Sequence, residues 1–395
     1  MAQRQWYDGM KNNSSNIETK LIHHAQEPDP STGAVIPPIY QTSTYAQSAP
    51  GVHKGFEYSR TDNPTRRNLE QALAAIESGK ECGCFASGMA AITTLMHTLS
   101  PGDHVICSDD VYGGTYRLFS KVMQPLGLTF DFVDFSSGVD EWTPFVGPNT
   151  KMIWIETPSN PMLKVIDLTA TIAKAKQLGL CSVVDNTFAS PYLQRPIELG
   201  ADIVVHSTTK YLGGHSDVVG GALIYADPVQ ADKMRFLQNS IGAIPGPFDS
   251  WLTHRSLKTL SVRMQRHCDN AMEVASFLST HKKVQSVIYP GLSSHPHHAI
   301  AKKQMKAFGG MISIYLNADL NKTKTFLSSL RIFTLAESLG GVESLIEHPA
   351  IMTHASLPPV ERAKLGIGDS LVRLSVGIEH VQDLIEDLAQ ALQQI

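Results

Sequence analysis

The sequence predicts an α/β fold: a mostly parallel central sheet, preceded by an extended N-terminal arm and followed by a smaller α+β domain. Three features predict it. Short apolar runs alternate with amphipathic stretches through the middle of the chain, polar residues gather where those runs end, and the rhythm changes after Trp251. The boundaries expected are an arm over 1–62, an α/β domain over 63–252 and a C-terminal domain over 253–395.

The arm is rich in polar residues, Gly and Pro, and PDPSTGAVIPP (28–38) reads as extended. TRRNLEQALAAIESG (65–79) then puts Leu69, Leu73 and Ile76 on one helical face and stops at Gly79. CGCFASGMAAITTLMHTL (82–99) reads as a buried strand, a turn at Ser87-Gly88 and a helix. Further strands are expected at 104–110, 129–134, 182–186 and 202–207, with a helix at 171–179, and KMIWIETPSNP (151–161) is apolar and breaks at two prolines. Beyond Trp251, one long helix over 256–281 is followed by strands at 311–316, 331–336 and 371–378. A last helix follows, with Val381, Leu384, Ile385, Leu388 and Leu392 on one face.

Composition narrows the function. The chain has 395 residues, 33 Lys+Arg against 37 Asp+Glu, and a net charge of −4. No basic run is present to neutralise phosphates, which argues against a nucleic-acid partner. No run of ~18 apolar residues suggests a membrane span, and the N-terminal stretch lacks a signal-peptide core. Five cysteines without a CxxC read as reduced, buried thiols of a cytoplasmic protein. His295, His297 and His298 flank Pro296 in a turn without metal-ligand spacing and read as a solvated loop.

In parallel sheets ligands bind at the carboxyl ends of the strands. Ser87, Asp109, Tyr112, Asn160, Asp185, Ser207 and Lys210 fall there. Asp185 follows two valines, so it is expected to be partly buried, where it either caps the next turn or meets a cation. Lys210 is either a surface lysine in a Gly-rich loop or an amine in an apolar pocket, where a lowered pKa makes it a nucleophile toward carbonyls. Ser87-Gly88-Met89 is either an ordinary helix cap or an anion site at a helix start. It matches neither a Walker A loop nor a Gly-x-Ser-x-Gly elbow. A Schiff-base lysine, a carboxylate for a pyridinium nitrogen and a phosphate cup together fit one cofactor, pyridoxal 5'-phosphate. A hydrolase built on Ser87 and a catalytically silent cofactor binder are the rival classes.

With these residues in view, the chain resembles the Cys/Met-metabolism family of pyridoxal-phosphate enzymes, which includes cystathionine γ-lyase, γ-synthase and β-lyase and methionine γ-lyase. The resemblance rests on YSRTDNPTR (58–66), FASGMAA (85–91), DVYGGTYR (110–117), ETPSNP (156–161), VVDNTFASP (183–191), HSTTKYLGGHSD (206–217), AESLGGVESL (336–345) and LVRLSVGIE (371–379). It implies the fold-type I, aspartate-aminotransferase-like architecture. It also implies a role for each matching residue. Lys210 would carry the cofactor as a Schiff base and Asp185 would pair with its ring nitrogen. Gly88, Met89, Ser207 and Thr209 would bind its phosphate, with Thr187 nearby. Tyr112 would stack on the ring and assist proton transfer, and Asn160 would contact the ring hydroxyl side. Tyr58 and Arg60 would reach the phosphate of a neighbouring subunit, so the partner is a second copy of the chain, a dimer usually paired into a homotetramer. Arg373, helped by Ser338, would clamp the α-carboxylate of a small amino-acid substrate. Arg117 would lie near the ligand or form an ordinary surface ion pair.

Within the family, Glu337 resembles the γ-lyase and γ-synthase pattern, in which an acid faces the distal ammonium of cystathionine. Gly114 stands where methionine γ-lyases carry Cys, and Ser256 where the family commonly has Gly. The implied reaction is γ-elimination of L-cystathionine to cysteine, 2-oxobutanoate and ammonia, with hydrogen sulfide as a side product from cysteine or homocysteine. γ-Replacement on an O-acylhomoserine is the nearest alternative, ahead of methionine γ-lyase and cystathionine β-lyase activity.

Overall fold

The computed structural model describes residues 15–355 and 358–395. Residues 1–14 of the expected arm lie outside them, as do 356–357. The rest of the arm has little regular structure beyond a short helix, Ile17–His23, and isolated bridges joining Thr44 to Tyr58 and Ala49 to Val52.

Seven strands form the central sheet: β1 (Glu81–Phe85), β2 (His104–Ser108), β3 (Thr129–Val133), β4 (Thr150–Glu156), β5 (Cys181–Asp185), β6 (Ile203–Ser207) and β7 (Gly221–Tyr225). Their order is β1-β7-β6-β5-β4-β2-β3. From β6 to β3 every pairing is parallel, whereas β7 runs antiparallel to both β6 and β1. The sheet is therefore mostly parallel, as expected. Its two faces divide the core. Val105, Cys107, Trp154, Val183 and Val205 pack on one side with the helix Gly88–Met96. Ile106, Ile153, Ile155 and Val184 pack on the other with the helix Leu168–Gln177. Strands covered on both faces are apolar runs rather than alternating ones. GALIY (β7), lying just after a Gly-rich loop, is such a run, buried along its whole length.

A second sheet contains β8 (Val284–Ile288), β9 (Met311–Leu316), β10 (Thr334–Leu335), β11 (Leu345–Glu347) and β12 (Leu371–Ser375), in the order β10-β11-β12-β9-β8. The helices Leu260–Thr280 and Val381–Leu392 bury Val274, Leu278, Leu384 and Leu388 against Ile312, Ile314, Val372 and Leu374.

Three expectations are corrected here. His295 is buried, its Nε2 3.1 Å from Leu163 O, rather than part of a solvated loop. The single helix over 256–281 is two helices, Pro247–Leu257 and Leu260–Thr280. At the break Ser256 O accepts the Thr259 N–H at 3.2 Å, and the buried Arg263 guanidinium adds a donor to it at 3.0 Å and another to Tyr211 O at 2.7 Å. The strand expected at 331–336 shrinks to Thr334–Leu335. The N–H groups of Arg331, Ile332 and Phe333 instead donate to the Asp387 carboxylate at 2.8, 2.8 and 3.0 Å, and so are lost to the ladder.

All five cysteines are free thiols, four of them buried. Burial pushes Cys181 and Cys268 up to about 12, so these are not thiolates near neutral pH. Among the described residues, no helix is long and apolar enough to cross a membrane, and no cluster of potential metal ligands occurs.

Candidate active site

The ends of β4, β5 and β6 lie side by side, so Glu156, Asp185 and Ser207 emerge at one edge of the sheet. Asp185 is buried there. Its Oδ1 accepts the Thr187 N–H at 3.0 Å and the Thr187 hydroxyl at 2.6 Å. The Thr187 oxygen in turn accepts the Ser207 N–H at 2.9 Å, tying the two strand ends together. No hydrogen bond from the described residues reaches Asp185 Oδ2. Burial raises the Asp185 carboxyl, opposed by the Thr187 hydrogen bonds and, more weakly, by His206. The turn-cap and cofactor readings of Asp185 are thus compatible: one oxygen caps, the other is available.

The anion cradle lies next to it. Ser87 caps the helix Gly88–Met96, its Oγ accepting the Ala90 N–H at 3.0 Å. The N–H groups of Gly88 and Met89 precede the first intrahelical bond and are free for an anion. A Cβ on Gly88 would lie 3.0 Å from Ser207 Cβ, and one on Gly221 would lie 2.2 Å from Ser87 O. These two glycines let the turn press against the end of β6. Thr209 is engaged with Gly220, its Oγ1 accepting the Gly220 N–H at 3.0 Å. Its oxygen is committed to the cap and no histidine among the described residues bonds to it, so Ser87 gives no support to a serine hydrolase.

Lys210 is partly buried, and its Nζ donates to Ser338 Oγ at 2.8 Å. Burial lowers its pKa to about 8, helped by the Arg373 charge and opposed by the carboxylates of Glu347 and Glu337. A surface lysine would not show this shift. Ser338 has φ 93°, a conformation that costs a non-Gly residue of order 1–3 kcal/mol. That backbone places its hydroxyl on Lys210 and its carbonyl on Arg373, whose Nη2 donates to it at 2.9 Å. Arg373 is buried on β12. Its Nη1 donates to Asn160 Oδ1 at 2.8 Å and lies 2.9 Å from Glu347 Oε1, while its Nε–H has no partner among the described residues.

Tyr112 is 40% exposed. Its N–H donates to Glu156 Oε2 at 2.9 Å. A Cβ on Gly114 would lie 2.3 Å from Tyr112 Cε1, so any larger residue there must displace the ring. Glu156 is buried and its carboxyl is pushed well up, by burial first and then by Asp185.

The structure thus groups Lys210, Ser338, Arg373 and Asn160 by direct hydrogen bonds, and Asp185, Thr187 and Ser207 by another set. Gly88 lies against Ser207, and Met89 follows it in the helix. Tyr58 and Arg60 are exposed, with Arg60 5.4 Å from the Tyr58 ring, and no hydrogen bond links them to either group within this chain. Arg117 and Glu337 are exposed as well; no ion pair to Arg117 occurs among the described residues. Sequence reasoning missed Glu347 and Glu156. Glu156 ends an apolar strand just as Asp185 does, so the same signal applied to KMIWIE would have found it. A cavity of about 950 Å³ lies elsewhere, between the helix Pro64–Ile76 and β1. Three ion pairs line it: Arg66 with Glu70, Arg67 with Asp62, Arg235 with Glu81.

A weakly basic lysine, a buried carboxylate with one oxygen open and a glycine-lined helix start suit an aldehyde cofactor that carries a ring nitrogen and a phosphate. Residues 18–393 match the family model described as Cys/Met metabolism PLP-dependent enzyme. A curated relative from Coxiella burnetii, named cystathionine beta-lyase, is 57% identical over 383 residues, covering 96% of this chain and 99% of the relative. A cystathionine gamma-lyase from Bacillus subtilis is 53% identical, covering 96% and 99%. A solved cystathionine gamma synthase from Xanthomonas oryzae pv. oryzae superposes with a TM-score of 0.94 at 42% identity, covering 96% and 98%. With the family model spanning nearly the whole chain, this protein belongs to the Cys/Met metabolism pyridoxal-phosphate-dependent enzymes, and its cofactor is pyridoxal 5'-phosphate.

Proposed function

We propose that this chain is a carbon–sulfur lyase that converts L-cystathionine and water to cysteine, 2-oxobutanoate and ammonia by γ-elimination. One observation carries the reading: Lys210, Ser338 and Arg373 are hydrogen-bonded in series, with Glu337 next to Ser338 and close enough for its charge to act on Lys210. Cystathionine is an amino acid at both ends. A cationic clamp for one carboxylate and an acid for the distal ammonium suit it. The names of the relatives support the same substrate.

When bound, pyridoxal phosphate supplies an electron sink for the carbanion formed at Cα. Asp185 Oδ2 holds a proton on the ring nitrogen, and its Oδ1 is anchored by Thr187. Gly88, Met89, Ser207 and Thr209 bind the phosphate. Arg373 orients the substrate by its α-carboxylate, its Nε–H being unpartnered. Lys210 Nζ would take the Cα proton, hand it on to the cofactor side of the bound substrate and, neutral again, take one from Cβ; a pKa of about 8 suits a base near neutral pH. Tyr112 gives a proton to the departing sulfur. Tyr58 and Arg60 serve the site of a neighbouring subunit, consistent with their exposure here, in a dimer of dimers built from the arm 1–62 and the two domains. The cytoplasm is the compartment this chemistry and the reduced thiols favour.

A second reading has a specific observation behind it: the 57% relative is named a β-lyase, and β-elimination of cystathionine gives homocysteine, pyruvate and ammonia. Product analysis separates the readings. 2-Oxobutanoate from cystathionine is the expected result. Dominant pyruvate would make the chain a β-lyase, and cystathionine formed mainly from O-succinylhomoserine plus cysteine would make it a synthase. A Lys210→Ala chain that still turned over would overturn the site itself.

A further inference from the structure

Arg373 does not wait for its ligand as a bare cation. Glu347 on β11 stands directly opposite Arg373 on β12 in the antiparallel register. Its Oε1 lies 2.9 Å from Arg373 Nη1, with both side chains almost fully buried. The contact is not among the aligned hydrogen bonds of the guanidinium, which go to Asn160 and to the Ser338 carbonyl. Glu347 is itself fixed by the Thr353 hydroxyl, which donates to Oε1 at 2.9 Å, while Oε2 is buried with no partner among the described residues. Burial pushes the Glu347 carboxyl up, with Arg373 opposing. The pair is therefore an under-bonded buried carboxylate beside a buried guanidinium that keeps an Nε–H unpaired on the same group.

We propose that Glu347 is a positioning residue that acts as the resident counter-ion of Arg373 and competes electrostatically with the incoming substrate carboxylate. The inference rests on the reading of Arg373 as the carboxylate clamp. Without Glu347 the buried guanidinium would be an uncompensated charge whenever the site is empty, and that is strongly destabilising. With it, Arg373 stays ordered by Asn160, Ser338 and Glu347, and a ligand carboxylate binds against the repulsion of a second carboxylate. Two anions flanking one guanidinium sit roughly 5–6 Å apart, where removing one is worth about tenfold or more in affinity. Weaker ground-state binding of the carboxylate raises KM and eases product release, since 2-oxobutanoate carries the same group.

The test uses holoenzyme and propionate, a carboxylate without an amine that cannot react with the cofactor. Its dissociation constant is measured through its effect on thermal unfolding and on cofactor absorbance. Glu347→Gln should melt below the wild type without ligand, bind propionate about tenfold tighter and gain more stability from saturating propionate. Glu347→Asp should return toward the wild type. Arg373→Gln should lose propionate binding. If Arg373→Gln binds propionate as the wild type does, the clamp reading fails. If Arg373→Gln loses it but Glu347→Gln binds no tighter than the wild type, the counter-ion inference alone fails. Should Glu347→Gln not fold, the Arg373→Gln, Glu347→Gln pair, which removes both charges, is predicted to regain stability, and its failure to do so would also sink the inference.

Discussion

Replacing Ser338 by Ala probes the hydroxyl that holds Lys210. The hydroxyl accepts from Nζ at 2.8 Å, and this bond favours the charged ammonium. A charge-assisted hydrogen bond to a partly buried group is worth roughly 1.5–3 kcal/mol. If about half of that is specific to the charged form, its loss lowers the Lys210 pKa by about one unit. From a value of about 8, roughly one-tenth of the amine is free at pH 7, rising to about half in the variant. Free amine is the form that attacks an aldehyde, so cofactor-free Ser338→Ala should capture pyridoxal phosphate about fivefold faster at pH 7. At pH 9.5 the two rates should converge, because both amines are then free. Ala and Ser each carry a Cβ, so the φ of 93° at position 338 burdens both equally. The assay is the growth of cofactor absorbance on mixing. Equal rates at pH 7, or a constant difference at both pH values, would refute the claim that this hydroxyl sets the charge of Lys210.

Glu156 tests a second buried group: its carboxyl is pushed up beside Asp185 while accepting the Tyr112 N–H. Glu156→Gln keeps that acceptor and should hold kcat within about threefold of the wild type, whereas Glu156→Ala frees the Tyr112 loop and should cost tenfold or more, as losing a buried acceptor does; steady-state kinetics decides, and equal damage in both variants would show that the negative charge itself is needed. Stability should also fall in acid. Burial lowers His267 to about 4, its Nδ1–H donating to Val376 O at 2.7 Å. Because the folded pKa lies below the unfolded value of about 6.5, the unfolded chain binds more protons between them, and stability falls as pH drops from about 6.5 to 4, by up to about 3 kcal/mol from this group. His267→Gln should show a shallower decline of melting temperature over that window, and parallel declines would rule the contribution out.

What the sequence made legible follows from what kind of fact each feature is. A charged residue ending an apolar run is an anomaly within one segment. Asp185 and Lys210 stand out in that way, as does the cap at Ser87, and the alternation of runs and helices places them on one sheet edge. Compensation is different, because it joins two segments. Glu347 reads as one more acid before a proline turn until the β11–β12 register sets it against Arg373. Asp387 reads as the polar face of an amphipathic helix until its carboxylate takes the three N–H groups that would have extended β10. Arg263 likewise sits inside a helical pattern that continues unbroken in the sequence, and its reach across the break to Ser256 O and Tyr211 O shows only in the fold. In each case a buried charge or a row of backbone donors must find a partner, and the partner is chosen by register and helix docking rather than by neighbours in the chain. A close reading of residues therefore finds the groups that do chemistry sooner than the groups that hold them. It is the second kind, Glu347 before others, that decides how tightly a site already visible in the sequence grips its ligand.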